Sequence, residues 1–142
     1  MYETVLVPVD GSDESRVATA EAVELTASGG TVHALAVIEE LPMHRRSGKA
    51  EKFEDDGTEQ KARAEAAAEA VVDRAESAGV DCETTITEGV PSREITALAA
   101  EIDADAIVIG KRGAGESAGD ILGSTTERVL KNAPTTVVAV RA

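Results

Sequence analysis

Glycines and hydroxyl side chains are concentrated in one stretch of this sequence, residues 110–125. The stretch follows an apolar run at 106–109 and precedes an amphipathic segment at 127–132, so it predicts a loop between a buried strand and a helix capped by Ser124. Glycine lets the backbone approach a ligand closely, and a helix N-terminus presents unpaired N–H groups to anions. The chemistry indicated is phosphate binding. Glycines alone fit a surface loop with turns equally well, and the stretch by itself leaves that alternative open.

A carboxylate stands at the end of another apolar run. Residues 4–9 predict a buried strand, with Pro8 near its end, and Asp10 follows directly. In open α/β sheets, ligands bind beyond the carboxyl ends of the strands, where the strand order reverses. At such an edge Asp10 could bind ribose hydroxyls or a metal ion, or it could cap the first helix. Spacing does not determine whether this strand lies beside the one that leads into the glycine-rich loop.

Other phosphate-binding and catalytic patterns are absent from the sequence. Gly48-Lys49-Ala50 lacks the Ser or Thr of a P-loop, and the glycines at 113, 115 and 119 miss the dinucleotide-binding spacing by one residue. There is no Ser/His/Asp or metal-ligand pattern. Cys82 has no His near it in the sequence, and His33 falls inside a predicted strand. We therefore expect no dedicated catalytic activity, and structural roles for Cys82 and His33.

The charge of the chain excludes several classes of partner. Its 142 residues carry a net charge of −13, whereas nucleic acids and anionic membranes require a basic surface. The acidic residues are scattered, Lys residues number 5 against 9 Arg, and large apolar side chains are few. This composition predicts a halophilic protein, because molar salt shortens the Debye length to about 3 Å and screens self-repulsion. An ordinary acidic protein is the alternative.

Length, cysteine content and hydropathy indicate one soluble domain over residues 1–142. Cys82 is the single cysteine, so no intrachain disulfide can form. No apolar run reaches 18 residues, and Met1 leads into a predicted strand without a signal peptide. We therefore expect a cytoplasmic protein that does not bind membranes.

Hydrophobic periodicity predicts alternating strands and helices. Short apolar runs predict five strands, at about 4–9, 31–38, 81–88, 105–109 and 135–140. Helical spacing predicts four helices between them, from Ser12 to about Ala27, over 58–78, from about 91 to 102, and over 124–132. This order predicts an α/β fold with right-handed crossovers and a mainly parallel sheet. The polar segment 39–56 is expected to be a loop or flap.

Side-chain patterns predict which faces of two elements are buried. On the helix at 58–78 the expected buried stripe consists of Ala67, Ala70, Val71, Arg74, Ala75 and Ala78. On the strand at 81–88, alternation places Cys82, Thr84 and Ile86 on one face, as in a strand near a sheet edge.

Two spaced motifs together resemble a known family. The spacing Gly110-x2-Gly113-x9-Gly123-Ser124, combined with Val-Pro-Val-Asp10-Gly-Ser, resembles the ATP-binding branch of the universal stress protein (UspA-like) family. The resemblance covers the whole chain, including Ala133-Pro134 after the last helix. It implies a Rossmann-like, open five-stranded parallel sheet in the order 3-2-1-4-5, with helices on both faces. It also implies a homodimer paired through strand 5, at 135–140.

The resemblance further implies a site for ATP accompanied by Mg²⁺. The residues that match the family's site are Pro8, Val9 and Asp10 at the adenosine end, Val37 at the adenine, Gly110, Arg112 and Gly113 beside the ribose and phosphates, and Gly123, Ser124 and Thr125 at the phosphate tail. Asp10 would lie near the ribose or hold Mg²⁺ through water. This chain departs from the family by carrying Glu116 and Asp120 in the loop, where their charges would oppose a triphosphate.

Two classes of function follow from these expectations. The first is a nucleotide-binding protein with a regulatory role in the stress response, which binds ATP and hydrolyses it slowly at most. The second is an interaction module of the same fold that binds no nucleotide and acts through its dimer surface.

Overall fold

Five parallel strands form one sheet with helices on both faces. The computed structural model describes residues 1–39, 57–112 and 122–142. Its strands are β1 (Tyr2–Pro8), β2 (Thr26–Glu39), β3 (Asp81–Gly89), β4 (Ala106–Gly110) and β5 (Thr136–Val140). Its described helices are α1 (Asp13–Leu25), α2 (Thr58–Ala78), α3 (Pro91–Glu101) and α4 (Ser124–Asn132). The strand order is β3-β2-β1-β4-β5, which confirms the predicted α/β fold and sheet order.

Alternating side chains of the central strands divide the core into two layers. Val5 and Val7 of β1 pack with α1 and α2 on one face of the sheet. Leu6, between them, packs with α3 and α4 on the other face. All three are fully buried, which explains why the run reads as continuously apolar rather than alternating. None of the four described helices is long and apolar enough to span a membrane.

The strand order reverses beside β1, and this reversal creates a crevice. β1 pairs with β2 on one side and with β4 on the other, with Leu6 opposite Ile107 in the β1–β4 pair. The chain leaves β1 through α1 on one face of the sheet and reaches β4 through α3 on the other face. The connections therefore diverge where β1 and β4 end, which is the place where ligands bind in open α/β sheets.

The first helix is shorter than the sequence predicts. α1 ends at Leu25 rather than near Ala27, and β2 begins at once with Thr26, five residues before the predicted strand. Thr26 has an extended backbone and pairs with Tyr2 of β1, while its hydroxyl donates to the Ala22 carbonyl at 2.7 Å. This pairing and the hydroxyl cap end the helix before the glycines at 29 and 30, which lie inside β2.

The buried face of α2 also differs from the prediction. The buried residues are Ala64, Ala67, Ala68, Val71 and Ala75. Ala70, Arg74 and Ala78 are exposed instead. Small residues occur on several faces of this alanine-rich helix, so the sequence does not distinguish the face that packs on the sheet, and only contact with β2 and β3 selects it.

β3 lies at the sheet edge, as predicted, but its half-buried positions are not all on one face. Cys82 packs toward α2, whereas the Thr87 hydroxyl lies 3.4 Å from a carboxylate oxygen of Glu94 on α3. Thr84 is exposed, and Ile86 is 37% exposed. The face shared by Cys82, Thr84 and Ile86 is therefore half-buried only at Cys82, because different helices cover the two ends of the strand on opposite faces.

Candidate functional site

A cavity of about 290 Å³ opens at the carboxyl ends of β1 and β4. Nine of the ten predicted site residues line it: Pro8, Val9, Asp10, Val37, Gly110, Arg112, Gly123, Ser124 and Thr125. They come from four separate segments of the chain, at 8–10, 37, 110–112 and 123–125, which meet where the strand order reverses. Gly113, the tenth, lies outside the described residues, as do Glu116, Asp120 and the segment 40–56.

One wall of the cavity is apolar. Leu35 and Val37 reach it from β2, Ile109 from β4, and Pro91 and Ile95 from α3. Leu35 and Ile95 are almost completely buried, so this wall is held in place by the core beneath it. A firm apolar wall suits a flat ring system. No sequence motif marks Leu35, Ile95 or Ile109, but the connection from β3 to β4 must cross one face of the sheet, and this places α3 over that face.

The start of α4 forms another part of the cavity lining. Its N-cap is Gly123 rather than the predicted Ser124, because the first intrahelical bond runs from the Glu127 N–H to the Gly123 carbonyl at 3.0 Å. The prediction of Ser124 as the cap is therefore wrong by one residue. Ser124 is instead the first helical residue, and the N–H groups of residues 124–126 are those that an α-helix leaves without an intrahelical acceptor. They suit an anion.

The two ends of the glycine-rich segment are tied together at its base. The Gly123 N–H donates to the Lys111 carbonyl at 2.8 Å, and the buried Thr126 hydroxyl donates to the Gly110 carbonyl at 2.7 Å. Thr126 is 2% exposed, so this bond satisfies a buried hydroxyl. These bonds join the end of β4 to the start of α4. The sequence prediction did not include Thr126 in the site.

A buried ion pair joins α1 to the start of this segment. Glu14 is 8% exposed, and its Oε1 accepts the Arg112 backbone N–H at 2.5 Å, while its Oε2 lies 3.4 Å from Arg112 Nη2. A Cβ on Gly110 would lie 3.0 Å from the Glu14 Cβ, which is a tight contact, so glycine at this position favours the close approach of α1. Glu14 is one of two acidic residues in the first turn of α1, where a carboxylate favours the helix through its dipole. Nothing local distinguishes it from Asp13.

Asp10 lies at the mouth of the cavity and is exposed. Its Oδ1 accepts the Ser12 N–H at 2.9 Å, which forms a turn between β1 and α1. The cap of α1 is Ser12, whose hydroxyl oxygen accepts the Ser15 N–H at 3.2 Å. The alternative that Asp10 caps this helix is therefore wrong. In the described part of the chain, no group of three or more His, Cys, Asp or Glu residues is arranged to hold a metal ion.

Comparison with known proteins shows the family of this chain. The sequence model of the universal stress protein family matches residues 1–141. The chain belongs to the universal stress protein family. A universal stress protein of Methanocaldococcus jannaschii, MJ0531, is 32% identical over 148 residues, which cover 99% of this chain and 83% of that protein.

Solved structures show the same relationship. The structure of the protein MJ0577 matches with a TM-score of 0.83 and 28% identity, covering 100% of this chain and 97% of that one. A universal stress protein solved in complex with cAMP matches with a TM-score of 0.73 and 31% identity, covering 98% of this chain and 97% of that one. The fold described above is therefore the fold of the family.

His33 and Cys82 of this universal stress protein do not line the cavity. His33 is buried, and its Nε2 lies 2.8 Å from the Thr85 hydroxyl. Burial lowers the pKa of His33 below its usual value, although the nearby carboxylates of Glu83 and Glu101 oppose the shift. Burial, reinforced by neighbouring glutamates, raises the pKa of the Cys82 thiol. A raised thiol pKa disfavours the reactive thiolate, so the contacts support the structural roles predicted for both residues.

Proposed function

We propose that this universal stress protein binds ATP in the cavity at the ends of β1 and β4 and has a regulatory role in the stress response. The observation that carries the proposal is the convergence of Pro8–Asp10, Val37 and the start of α4 on one cavity. The resemblance to the family implies that each of these groups contacts a different part of ATP. The adenine-nucleotide complex of the structural relative with bound cAMP supports the same class of ligand.

The cavity offers different surroundings to the two ends of a nucleotide. Adenine would lie on the apolar wall beside Val37, and the ribose beside Asp10, whose exposed carboxylate can accept hydroxyl hydrogen bonds. The phosphates would lie toward Ser124 and Thr125, where N–H groups and hydroxyls are available. Arg112 and Gly113 would border the ribose and phosphates.

Mg²⁺ would enter the site with the phosphates. In proteins Mg²⁺ keeps several waters and is commonly held by one or two carboxylates together with substrate phosphates. Asp10 fits this role as one carboxylate at the cavity mouth, acting through water. Among the described residues, no histidine or cysteine lines the cavity, so a general base of those types is missing there. We propose slow hydrolysis at most.

The proposal is tested by titrating ATP into the protein in molar KCl, with and without Mg²⁺. Molar salt is chosen because the chain carries a net charge of −13 and its composition predicts halophilic adaptation. Asp10→Ala should weaken ATP binding about tenfold by removing a charged hydrogen-bond acceptor. Asp10→Asn keeps an oxygen that can accept the Ser12 N–H, so this variant should preserve the turn. Mg²⁺ should increase the ATP affinity of Asp10→Asn less than it increases that of the parent protein.

Asp13→Ala is the matched control for both Asp10 variants. Asp13 is a neighbouring carboxylate with a 78% exposed side chain that pairs with Arg16 within α1. Loss of the Asp13 carboxylate should leave ATP affinity within about twofold of the parent, since exposed ion pairs contribute little free energy. Absence of ATP binding by the parent protein in molar KCl would refute the proposed function.

One observation favours the interaction module as a second candidate. Asp10 and Glu39 place two carboxylates on the cavity wall, and Glu14 engages the guanidinium of Arg112. This distribution of charge opposes a polyphosphate unless a cation accompanies it. In this candidate the cavity stays empty, and the protein acts through its dimer surface.

We also propose that the protein forms a homodimer through β5. This strand is the edge of the sheet, and of the described strands it pairs only with β4. Val137 packs toward one face of the core and Val138 toward the other, yet both remain half-buried. An unpaired apolar edge favours association, and pairing with a second copy would cover it.

We also propose that the protein is cytoplasmic.

A further inference from the structure

Glu14 holds an unusual position for a carboxylate in the first turn of a helix. Such residues normally face water and favour the helix through its dipole. Glu14 is instead 8% exposed and reaches across to a residue 98 positions later in the chain. A buried carboxylate is costly unless donors satisfy its oxygens, and Arg112 supplies a donor to each of them.

We infer that Glu14 is a positioning residue that fixes the start of the glycine-rich segment over the phosphate end of the cavity. Its Oε1 holds the Arg112 backbone N–H, and its Oε2 holds the guanidinium of the same residue. One carboxylate therefore restrains both the path of the chain before Gly113 and the direction of the Arg112 cation. This inference rests on the proposed function and refines it.

The contacts around the segment explain why a tether from α1 matters. The bonds from Gly123 to Lys111 and from Thr126 to Gly110 connect the end of β4 with the start of α4. They close the base of the segment, but they involve none of the atoms of Arg112. The Glu14 bond adds a tether from a separate helix, α1, which passes close to Gly110.

The position of the tether predicts an effect on phosphates rather than on adenosine. Arg112 and the start of α4 supply polar groups to the cavity lining, whereas Val37, Pro91 and Ile95, from other elements, form the apolar wall proposed to hold adenine. Loss of the carboxylate would release the backbone at Arg112 and the orientation of its cation together. Contacts with the phosphates would then weaken while the apolar wall keeps its shape.

Equilibrium titrations of ATP and of adenosine with two variants test this role. Glu14→Ala should bind ATP about tenfold more weakly, because a charged hydrogen bond is lost, and should bind adenosine within about twofold of the parent. Glu14→Gln retains an oxygen for the Arg112 N–H, so it should bind ATP within about threefold of the parent. Asp13→Ala, one residue away on the same turn, should resemble the parent for both ligands.

Three results would overturn the inference. These are parent-like ATP affinity in Glu14→Ala, an equal loss for adenosine and ATP, and a failure of Glu14→Gln to restore ATP affinity. An equal loss for the two ligands would mean that Glu14 only stabilises the fold.

Amide hydrogen exchange at Arg112 tests the tether without any ligand. In Glu14→Ala this amide should exchange faster than in the parent and in Asp13→Ala, and Glu14→Gln should restore protection. Unchanged exchange in Glu14→Ala would contradict the tether. If exchange responds as expected but the parent binds no adenine nucleotide, the tether stands and the proposed ATP function fails.

Discussion

Two carboxylates near the cavity, Asp10 and Glu14, differ because of their surroundings. Asp10 is exposed at the mouth of the cavity, and its Oδ1 accepts the backbone N–H of Ser12 in the adjacent turn. Glu14 is buried, and its oxygens are engaged by Arg112. We propose that exposure suits Asp10 to contact a ligand and that burial suits Glu14 to position the chain.

His33 predicts a pH dependence of stability at the scale of one residue. Because burial lowers its pKa in the folded state, the unfolded chain binds a proton more readily, and folding stability should fall as the pH drops below about 6.5. The carboxylates of Glu83 and Glu101 face this ring and moderate the loss. Urea unfolding at pH 7.5, 6.5 and 5.5, at constant KCl concentration, measures the effect.

His33→Gln removes the titrating ring and should therefore lose less stability over this pH range than the parent. Comparison of the two proteins separates His33 from the many carboxylates that titrate at lower pH. Equal losses in the parent and in His33→Gln would show that other groups cause the pH dependence.

At the scale of elements, two helices end with the same hydrogen-bond pattern but with different residues. At the end of α2, the Val80 N–H donates to the Ala75 carbonyl at 2.9 Å, and Gly79 has a left-handed backbone with φ of 74°. At the end of α3, the Ala104 N–H donates to the Ala99 carbonyl at 2.9 Å, but the left-handed residue is Asp103, with φ of 54°. Asp tolerates this conformation less well than Gly.

Asp103→Gly should therefore stabilise the protein by about 0.5–1 kcal/mol, because it relieves the left-handed strain at an exposed site. Gly79→Ala is the reciprocal change and should destabilise the protein by about 1 kcal/mol. Urea unfolding of both variants measures the free energies of unfolding. A loss of stability in Asp103→Gly would mean that the Asp side chain makes a compensating contribution.

At the scale of the whole molecule, the apolar edge predicts an oligomer. Both α1 and α4 contact β5, and Leu130 on α4 is 44% exposed. Leu130→Glu should weaken the proposed homodimer, because it places a charge beside the pairing edge of a chain that is already strongly acidic.

Analytical ultracentrifugation of the parent and two variants measures this effect. Val90→Glu is the matched control, since Val90 is 41% exposed but follows β3 at the opposite edge of the sheet. It should leave the oligomeric state unchanged. A monomeric parent protein, or equal weakening by both substitutions, would argue against pairing through β5.

The sequence by itself determined the order and type of the elements and most of the candidate site. Apolar runs and helical spacing are local signals, so they located all five strands and the full extent of α2. The glycine spacing and Asp10 are also local features of the sequence, and they carry the resemblance to the family. Nine of the ten site residues that this resemblance implied line the cavity.

Only the tertiary structure decided which distant groups meet. Glu14 and Arg112 are 98 residues apart, and their contact depends on the way that α1 packs against the end of β4. The same dependence on neighbours selected the buried face of α2 and ended α1 at Leu25, where Thr26 pairs with β1. Local preferences specify what a segment can form. The free energy of packing selects which of its faces and side chains become buried, and that choice follows from the order of the strands.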